Sequence, residues 1–312
     1  MKALLLTGAA ALALTACAST REAAPESAAA APAVEATPEL VAEVAPPVPN
    51  NILLADWSGP FAGVPPFDRV TPEIFPEALQ FAIDELQREV RAVANARSEP
   101  TFANTVEPLE RTGQRLDRVL SVFGVMTSNM ATPAYQALDR EWSPRLAAAS
   151  DEIVLNPALF QRIRTIYEAR ESSGLDAQQQ RVVTRLYNQF VRSGANLNPE
   201  QKQQLTALNQ QLAGLFAQFS ERVLADESTH IVAAQADLAG VPEDVRNAAA
   251  AAARERNLPA GQFAIVNTRS AVDPILTFAD NRSLRERVWK AFVNRGDTAG
   301  ANDTNQTIAQ IV

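Results

Sequence analysis

Glu227 and His230 are the residues whose spacing most resembles a metal-binding pair. They form a Glu-x-x-His sequence, which on a helix places a carboxylate and an imidazole on one face, as in di-iron helical bundles. Such bundles use two of these motifs, and His230 is the only histidine in the 312 residues. We therefore interpret His230 as a polar residue just past the end of a helix, and we assign no metal ligand in this chain.

Nucleophilic chemistry has equally little support. Serine and threonine are frequent, but a hydroxyl nucleophile needs a base to activate it. The chain has one histidine and no Gly-x-Ser-x-Gly elbow, and it also lacks a Walker loop and a Gly-x-Gly-x-x-Gly motif. The formal net charge of −8 argues against nucleic acid as a partner. No catalytic residue is assigned.

Cys17 is the one residue to which the sequence assigns chemistry. Lys2 precedes an apolar run, Ala3 to Leu14, that is too short to span a bilayer, and Ala16 completes a small-residue cleavage site before the cysteine. This pattern resembles the lipobox of bacterial lipoproteins, in which the cysteine thiol takes a diacylglycerol and its freed amine is acylated. More than one acyl chain gives stable anchoring. An ordinary secretory signal with an incidental cysteine is the alternative.

The mature chain is therefore expected in the cell envelope, with residues 1–17 acting as a lipoprotein signal peptide. Ala18 stands where an aspartate would favour retention at the inner membrane, which indicates the outer membrane, facing the periplasm. Residues 18–50 follow as a disordered Ala/Pro/Glu tether with no aromatic residue and no glycine. After Leu14 no apolar run is long enough to cross a bilayer. Membrane contact is expected through the lipid alone.

The body of the chain, residues 51–312, has the pattern of successive helices. Four helices are expected to begin at a capping residue followed by proline, at Thr71-Pro72, Thr132-Pro133, Asn156-Pro157 and Asn198-Pro199. Another helix is predicted from Val106 to about Ser128, and Asp176 with Gln179 forms a capping box. Apolar stripes at helical spacing are predicted to be buried: Leu79, Ile83, Leu86, Val90 and Val93; Val182, Leu186 and Phe190; Leu205, Leu208, Leu212, Leu215, Phe219 and Val223. The last of these stripes predicts the best-buried helix.

The pattern changes after Gly240. A helix is expected from Pro242 to about Arg256, and the sequence at 263–266 suits a short strand. Residues 274–278 are a candidate hairpin partner, although Asp273-Pro274 suits the start of a loop equally well. We predict an all-α fold, mainly a helical lobe, with at most a short β-hairpin near 263–278.

The last segments are expected to be helical again. Ser283 to Glu286 has the capping-box pattern, and Gly296 is expected to end that helix. A final helix is predicted from near Asn302, capped by Asn302 and Asp303. Its apolar residues continue at helical spacing up to Val312, and no residue pattern that ends a helix follows them. We therefore expect the chain to stop short of a complete fold.

Two surface features have a functional and a structural interpretation. Trp57, Phe61 and Phe67 near Pro65-Pro66 could line a peptide groove, but an extended arm docking its aromatic side chains on the helices is favoured. A second feature is a basic cluster that could meet a peptide carboxylate, although a solvated helix face with Glu286 paired to Lys290 is favoured. The cluster comprises Arg282, Arg285, Arg287 and Lys290.

Several segments together resemble one family, and they hold their order along about 250 residues. The early ones are Pro65 to Val70, Phe75 to Ala78, Phe102 to Thr105 and Ser121 to Phe123. The later ones are Leu175-Asp176, Phe216 to Phe219, Asp237 to Pro242, Asn281 to Glu286, Arg295 to Asp297 and Asn302-Asp303. The pattern resembles the thimet oligopeptidase and peptidyl-dipeptidase family of zinc metallopeptidases, most of all the bacterial peptidyl-dipeptidases (dipeptidyl carboxypeptidases).

The resemblance implies a nearly all-helical protein with two lobes around a channel that admits short peptides. It also implies a peptidase activity that releases dipeptides from the carboxyl ends of those peptides. It also implies a zinc ion held by a His-Glu-x-x-His helix and a later carboxylate, because two histidines four residues apart share one helix face. This sequence departs from the family there, since it has one histidine and no such motif. The expected organisation is an amino-terminal lobe at 51–240 and the start of the catalytic region at 241–312, truncated before the zinc motif and inactive alone.

Two alternatives stay open at this point. A lipoprotein derived from that fold could bind peptides or a partner protein without cutting them. The sequence leans against this, because a lobe shaped to pack on an absent half would expose a large apolar patch. The second alternative is a helical structural lipoprotein that resembles the peptidase family by accident.

The lipid anchor predicts a clear effect of Cys17→Ala. In the exporting host, the parent chain should incorporate labelled fatty acid and sediment with membranes, whereas the Cys17→Ala chain should take no label, because no thiol is left to acylate. Fatty-acid labelling with membrane fractionation measures both, and Ser19→Ala is the matched control. An unlabelled parent, or a Cys17→Ala chain that still carries acyl label, would contradict the assignment.

Overall fold

The structure is a computed structural model, and it describes residues 45–60 and 63–312. Cys17 and Ala16 therefore lie outside the described residues, as do the signal peptide, most of the tether and Phe61. Among the residues that are described, no helix is both long enough and apolar enough to cross a bilayer.

The described chain is mainly helical, as predicted, with one small sheet. The helices are α1 (Phe75–Ala94), α2 (Glu107–Arg111), α3 (Gln114–Val125), α4 (Pro133–Val154), α5 (Pro157–Ala169), α6 (Ala177–Arg192), α7 (Pro199–Glu227), α8 (Glu243–Glu255), α9 (Arg269–Phe278), α10 (Arg282–Val293) and α11 (Asn305–Ile311). The strands are β1 (His230–Ala234) and β2 (Gln262–Val266). The chain divides into two compact units, the first reaching Val125 and including Ala149–Gln203, the second comprising Met126–Ala148 and Gln204–Val312.

The first unit is built around α1. Pro72–Ile74 forms a single 3-10 turn, so the α-helix begins at Phe75, three residues later than the Thr71-Pro72 pattern predicts. All five residues of the predicted stripe, from Leu79 to Val93, are buried, which confirms the helical spacing. The capped starts of α5 and α6 are confirmed too: Asn156 accepts the N–H of Leu159, and the Asp176 side chain caps α6.

The helix predicted over Val106 to about Ser128 is broken in the middle. A π-helical turn at Phe102–Val106 leads into α2, and the chain then turns at Gly113 before α3 begins. Gly113 has φ +75°, a conformation that favours glycine, and its N–H donates to the Glu89 carboxylate at 2.7 Å. Burial raises the pKa of Glu89, and this backbone hydrogen bond opposes the shift. A tertiary contact from α1 therefore sets the break.

Two predicted stripes differ from the structure. In α6 the residues Leu186 and Phe190 are buried as predicted, but Val182 is exposed. Its neighbour Val183 is buried instead, so the buried face of the helix differs from the predicted one by one residue at this end. Helix α7 begins at Pro199 as expected, with Asn198 and Gln201 capping each other. The prediction that α7 is the best-buried helix is wrong: within its stripe Leu215 is buried, whereas Leu208 is 56% exposed, because nothing described covers that side of the helix.

The second unit contains the sheet, and the hairpin partner predicted for its strand is wrong. β2 pairs antiparallel with β1, His230 opposite Val266, and α8 connects the two strands. Residues 269–278 form helix α9 rather than a strand or a loop. Val272 and Ile275 are three residues apart and both buried, so a helix places them together against the core. Pro274 within α9 removes a single backbone donor.

The core of the second unit is a cluster of small and branched residues from both strands and the helices around them: Ala233, Leu238, Val241, Ile265, Val272, Ile275, Ala279, Leu284 and Val288. The helix predicted to open at Ser283 begins at Arg282, and Asn281 is its cap, accepting the N–H of Leu284 at 3.1 Å. Asp303 accepts the N–H of Asn305 at the start of α11, as predicted, whereas Asn302 has a different partner.

Candidate functional site

Glu227 and His230, the Glu-x-x-His pair of the sequence, lie on two different elements. Glu227 is the last residue of α7, and its carboxylate accepts a hydrogen bond from Arg295. His230 lies past the helix end and opens β1. Across residues 45–60 and 63–312, no group of three or more histidine, cysteine, aspartate or glutamate side chains is arranged to hold a metal ion.

The basic cluster on α10 has the structural role that the sequence favours. Lys290 pairs with Glu286 at 2.7 Å, and its hydrogen bond and charge lower the pKa of that carboxyl. Arg285 donates to the backbone carbonyls of Ala279 and Asp280 and so fastens the start of the helix. Arg282 and Arg287 are exposed.

The aromatic arm before α1 is only partly docked. Trp57 is half-buried and lies against Gly63, where a Cβ atom would come within 2.6 Å of the Trp57 carbonyl oxygen. Phe67, in a 3-10 turn at Phe67–Arg69, is exposed. Since Phe61 lies outside the described residues, these positions do not define a peptide groove.

A buried arginine makes an extensive set of hydrogen bonds in the first unit. Arg162 on α5 is 6% exposed, and its guanidinium makes five hydrogen bonds. Nη1 donates to the carbonyls of Ala96 and Ser98, at 2.8 and 2.9 Å. Nε and Nη2 both donate to the Thr105 hydroxyl, and Nη2 also donates to the Asn104 amide oxygen at 3.0 Å. None of these acceptors is a carboxylate.

The energetics of Arg162 follow from this geometry. Burial lowers the pKa of the guanidinium, and the charge of Glu99 opposes that shift. A buried cation is tolerated only when its donors are satisfied, and here four oxygens, which accept five hydrogen bonds, replace water. Asn104 also caps the π-helical turn reciprocally with Thr101. Arg162 therefore holds the 96–105 segment in one conformation.

A second tie in the first unit joins two more segments that carry the family resemblance. The rings of Phe75 and Phe123 lie 5.3 Å apart at 66°, an edge-to-face contact between α1 and α3. Both side chains are buried. The segments Phe75 to Ala78 and Ser121 to Phe123 thus contact each other through the packing of two aromatic rings.

In the second unit the corresponding buried charge is Asp226, which is 4% exposed near the end of α7. One carboxylate oxygen accepts the backbone N–H of Gly296 at 2.7 Å, and the other accepts the amide of Asn302 at 3.0 Å. Gly296 has φ +76°, and its carbonyl accepts from Thr304. Arg222 adds a bond to Thr307 of α11 at 2.7 Å. The loop between α10 and α11 is thereby fixed to α7.

The remaining late segments meet in the same unit. Asn281, the cap of α10, donates to Asp237 at 2.8 Å. Gly240 has φ +81°, and a Cβ atom there would lie 2.5 Å from the carbonyl oxygen of Phe278, so only glycine fits. The segments Asp237 to Pro242 and Asn281 to Glu286 therefore hold each other in place.

Sequence reasoning missed both buried charges, although each carried a signal. Arg162 stands in phase with Leu159, Ile163 and Ile166, and Asp226 is in phase with Phe219 and Val223. A charged residue at a stripe position is expected to be buried and therefore bonded.

One cavity in the first unit is large enough for a small ligand. It has a volume of about 500 Å³ and lies between α6 and the turn that contains α2. Its apolar wall includes Phe102, Val106 and Leu186, and its exposed rim carries charges of both signs, Glu107, Glu110, Arg111 and Arg185. An apolar wall with a polar rim is typical of a groove that binds a small ligand.

Part of the chain matches the model of a known protein family. Residues 78–202 match the family described as "Neurolysin/Thimet oligopeptidase, N-terminal domain". The chain thus contains the N-terminal domain of the neurolysin and thimet oligopeptidase family. The match to this N-terminal domain spans α2, α3, α5 and α6, together with Arg162 and its partners, so the buried arginine lies within the family's own domain.

Three peptidases are similar to this chain in sequence. Dipeptidyl carboxypeptidase of Salmonella typhimurium is 35% identical over 251 residues, 80% of this chain and 37% of the relative. Dipeptidyl carboxypeptidase of Escherichia coli is 34% identical over 250 residues, with the same coverage. Oligopeptidase A of Escherichia coli is 26% identical over 255 residues. The chain spans a little over a third of the length of these relatives.

The Asp226 tie predicts a specific loss of stability in Asp226→Asn. An amide offers one acceptor where the carboxylate offers two, so one of the two hydrogen bonds is lost and the other is weakened. Hydrogen bonds to charged groups contribute about 1.5–3 kcal/mol, and we expect the free energy of unfolding to fall by roughly 2–3 kcal/mol. Urea denaturation measures it. Asp244→Asn, at an exposed aspartate of α8, should change it by less than about 0.5 kcal/mol. Equal effects of the two substitutions would contradict the assignment.

Proposed function

We propose that the whole protein is an exported zinc peptidase of the dipeptidyl carboxypeptidase type, which hydrolyses short peptides by releasing dipeptides from their carboxyl ends. The observation that carries this is the identity of about one residue in three to two proteins of that name, along four fifths of the chain. The family membership and the helical fold support it.

The protein acts in the cell envelope, anchored through lipid on Cys17 after cleavage behind Ala16, on the outer membrane and facing the periplasm. The support for this is the signal pattern in the sequence alone. The partners are short peptides, and the membrane is met only through the lipid.

These 312 residues do not cut peptides by themselves. Zinc in such a peptidase polarises the scissile carbonyl and activates a water molecule. The described residues do not fit that ion, because Glu227 is engaged by Arg295 and the chain has a single histidine. The ligands are assigned to the part of the family that this chain does not span. The role of the chain's own residues is to fold and hold the helical framework, through Arg162 and Asp226.

A peptide-binding protein without hydrolysis is the second candidate, and the cavity of about 500 Å³ between α2 and α6 is the observation that favours it. Its apolar wall and mixed charged rim suit a short peptide. The same experiment separates the two candidates.

The test compares the purified 312-residue chain with the full-length product of its gene. The substrates are short peptides blocked at the amino terminus, with either a free carboxylate or an amide at the other end. The full-length product should release dipeptides only from the free carboxylate, hold about one zinc per chain and lose activity with a chelator. The 312-residue chain should do none of these.

Mass spectrometry of the products and metal analysis are the measurements. A 312-residue chain that holds one zinc tightly or cuts the peptides would contradict the assignment of the zinc site to other residues. A full-length product that binds the peptides without cutting them would favour the binding protein.

A further inference from the structure

The cavity of the first unit is a groove with one helical segment on each side. Its α6 wall is formed by four residues at the i, i+3, i+4 and i+7 spacing of a single helix face. These residues are Val182, Arg185, Leu186 and Gln189. The opposite wall comes from the π-helical turn and α2, and its residues are Phe102, Val106, Glu107, Glu110 and Arg111. We call this space the α2/α6 groove.

The length of the α6 wall indicates the size of a ligand. Val182 and Gln189 are seven positions apart, which corresponds to roughly 10 Å along a helix axis. An extended peptide advances about 3.3–3.6 Å per residue, so roughly three residues cover this distance. The cavity volume of about 500 Å³ is also within the range of pockets that hold small molecules. The α2/α6 groove therefore matches a tripeptide in size.

The apolar part of the groove contains a side chain that the helix spacing predicts to be buried. Val182 is 38% exposed, one helical turn from the buried Leu186. Phe102, on the opposite wall, is partly buried. Because covering such surfaces removes apolar area from water, the groove favours a ligand with an apolar side chain.

The wall that contains Phe102 is fixed by the buried arginine. Arg162 donates to Asn104 at 3.0 Å and to Thr105 at 2.9 Å. These two acceptors stand between Phe102 and Val106 in the chain, so the hydrogen bonds hold both apolar residues of this wall in place. A wall that is ordered before the ligand arrives lowers the entropic cost of binding.

The rim of the groove carries charges of both signs, and the two walls differ in their charge. Glu107 and Glu110 lie in the first turn of α2. Arg185 faces the groove from α6, a helix that contains no aspartate or glutamate within Ala177–Arg192. Among the residues that the structure describes, neither Arg185 nor Glu107 has an ion-pair partner. Both are therefore available to a charged ligand.

This arrangement of charges discriminates between classes of small ligand. A fatty acid would bring its carboxylate close to the glutamates of α2, and a cationic amphiphile would bring its amine close to Arg185. A molecule with an amine at one end and a carboxylate at the other is complementary to both walls. A short peptide with two free ends has these charges together with a side chain for the apolar part.

We propose that the α2/α6 groove is a non-catalytic site for peptides of about three residues that have an apolar side chain and two free ends. The peptide carboxylate pairs with Arg185, and its amino group pairs with Glu107. The proposal rests on the second candidate function, peptide binding, and gives it a site and a ligand class. It does not depend on hydrolysis, because no bond of the peptide is broken there.

The test is a calorimetric titration of the 312-residue chain with alanyl-leucyl-alanine, with its N-acetyl derivative and with its carboxyl-terminal amide. The free tripeptide should bind at one site per chain. Blocking either end should weaken the binding at least about tenfold, because one charge-assisted hydrogen bond is lost. This comparison uses the unaltered chain and so does not depend on the folding of a variant.

Two variants assign the two ends of the peptide. Arg185→Gln should weaken binding of the free tripeptide about tenfold and leave binding of the amide unchanged. Glu107→Gln should weaken binding of the free tripeptide and leave binding of the N-acetyl derivative unchanged. The matched controls are Arg192→Gln, at an exposed arginine of α6 that does not line the groove, and Glu200→Gln, at an exposed glutamate in the first turn of α7. Both controls should bind the tripeptide as the parent chain does.

A free tripeptide that does not bind, or that binds equally well with either end blocked, would overturn the proposal. Binding that is unchanged in both R185Q and E107Q would place the peptide elsewhere on the chain and would also overturn it. Octanoate that binds at least as tightly as the tripeptide would assign the groove to a fatty acid, with the same consequence. A full-length product that hydrolyses peptides, together with a groove that does not bind the tripeptide, refutes this inference alone. Binding in the groove without hydrolysis by the full-length product refutes only the proposed peptidase.

Discussion

The first unit depends on a buried cation whose hydrogen-bond acceptors are all uncharged. The Arg162 guanidinium is stable in the interior because four oxygens accept five hydrogen bonds from its N–H groups, in the fork geometry that arginine imposes. All four residues that supply those oxygens lie within residues 96–105, so one side chain on α5 sets the path of the segment between α1 and α2. Removing the guanidinium would leave buried carbonyls unpaired, and a buried acceptor without a donor is costly.

The second unit uses the opposite charge for the same purpose. Asp226 accepts from Gly296 and Asn302 and thereby fixes the loop that leads to α11. In both units the residues that carry the family resemblance, Asn104-Thr105 and Gly296 with Asn302, serve as partners of a buried charge. These residues stabilise the fold by satisfying the hydrogen-bonding groups of a buried charged side chain.

The features that could be predicted from the sequence are those that depend on neighbouring residues along the chain. The all-α class, the capped starts of α5, α6 and α7, and the stripe of α1 follow from proline, asparagine and apolar spacing. The break at Gly113 was missed because it depends on Glu89, 24 residues away. The strand partner was missed because pairing depends on packing across α8. The burial of α7 was overestimated because spacing indicates an apolar face but not whether anything covers it.

The most direct test of this account is the coupling between Arg162 and Thr105, measured with a double-mutant cycle on the free energy of unfolding. Arg162→Met, Thr105→Val and the double variant are each unfolded in urea. If the guanidinium and the hydroxyl depend on each other, the double variant is less destabilised than the sum of the singles, by roughly 1–3 kcal/mol. Additivity within about 0.5 kcal/mol would contradict the claim that the buried Arg162 organises the first unit.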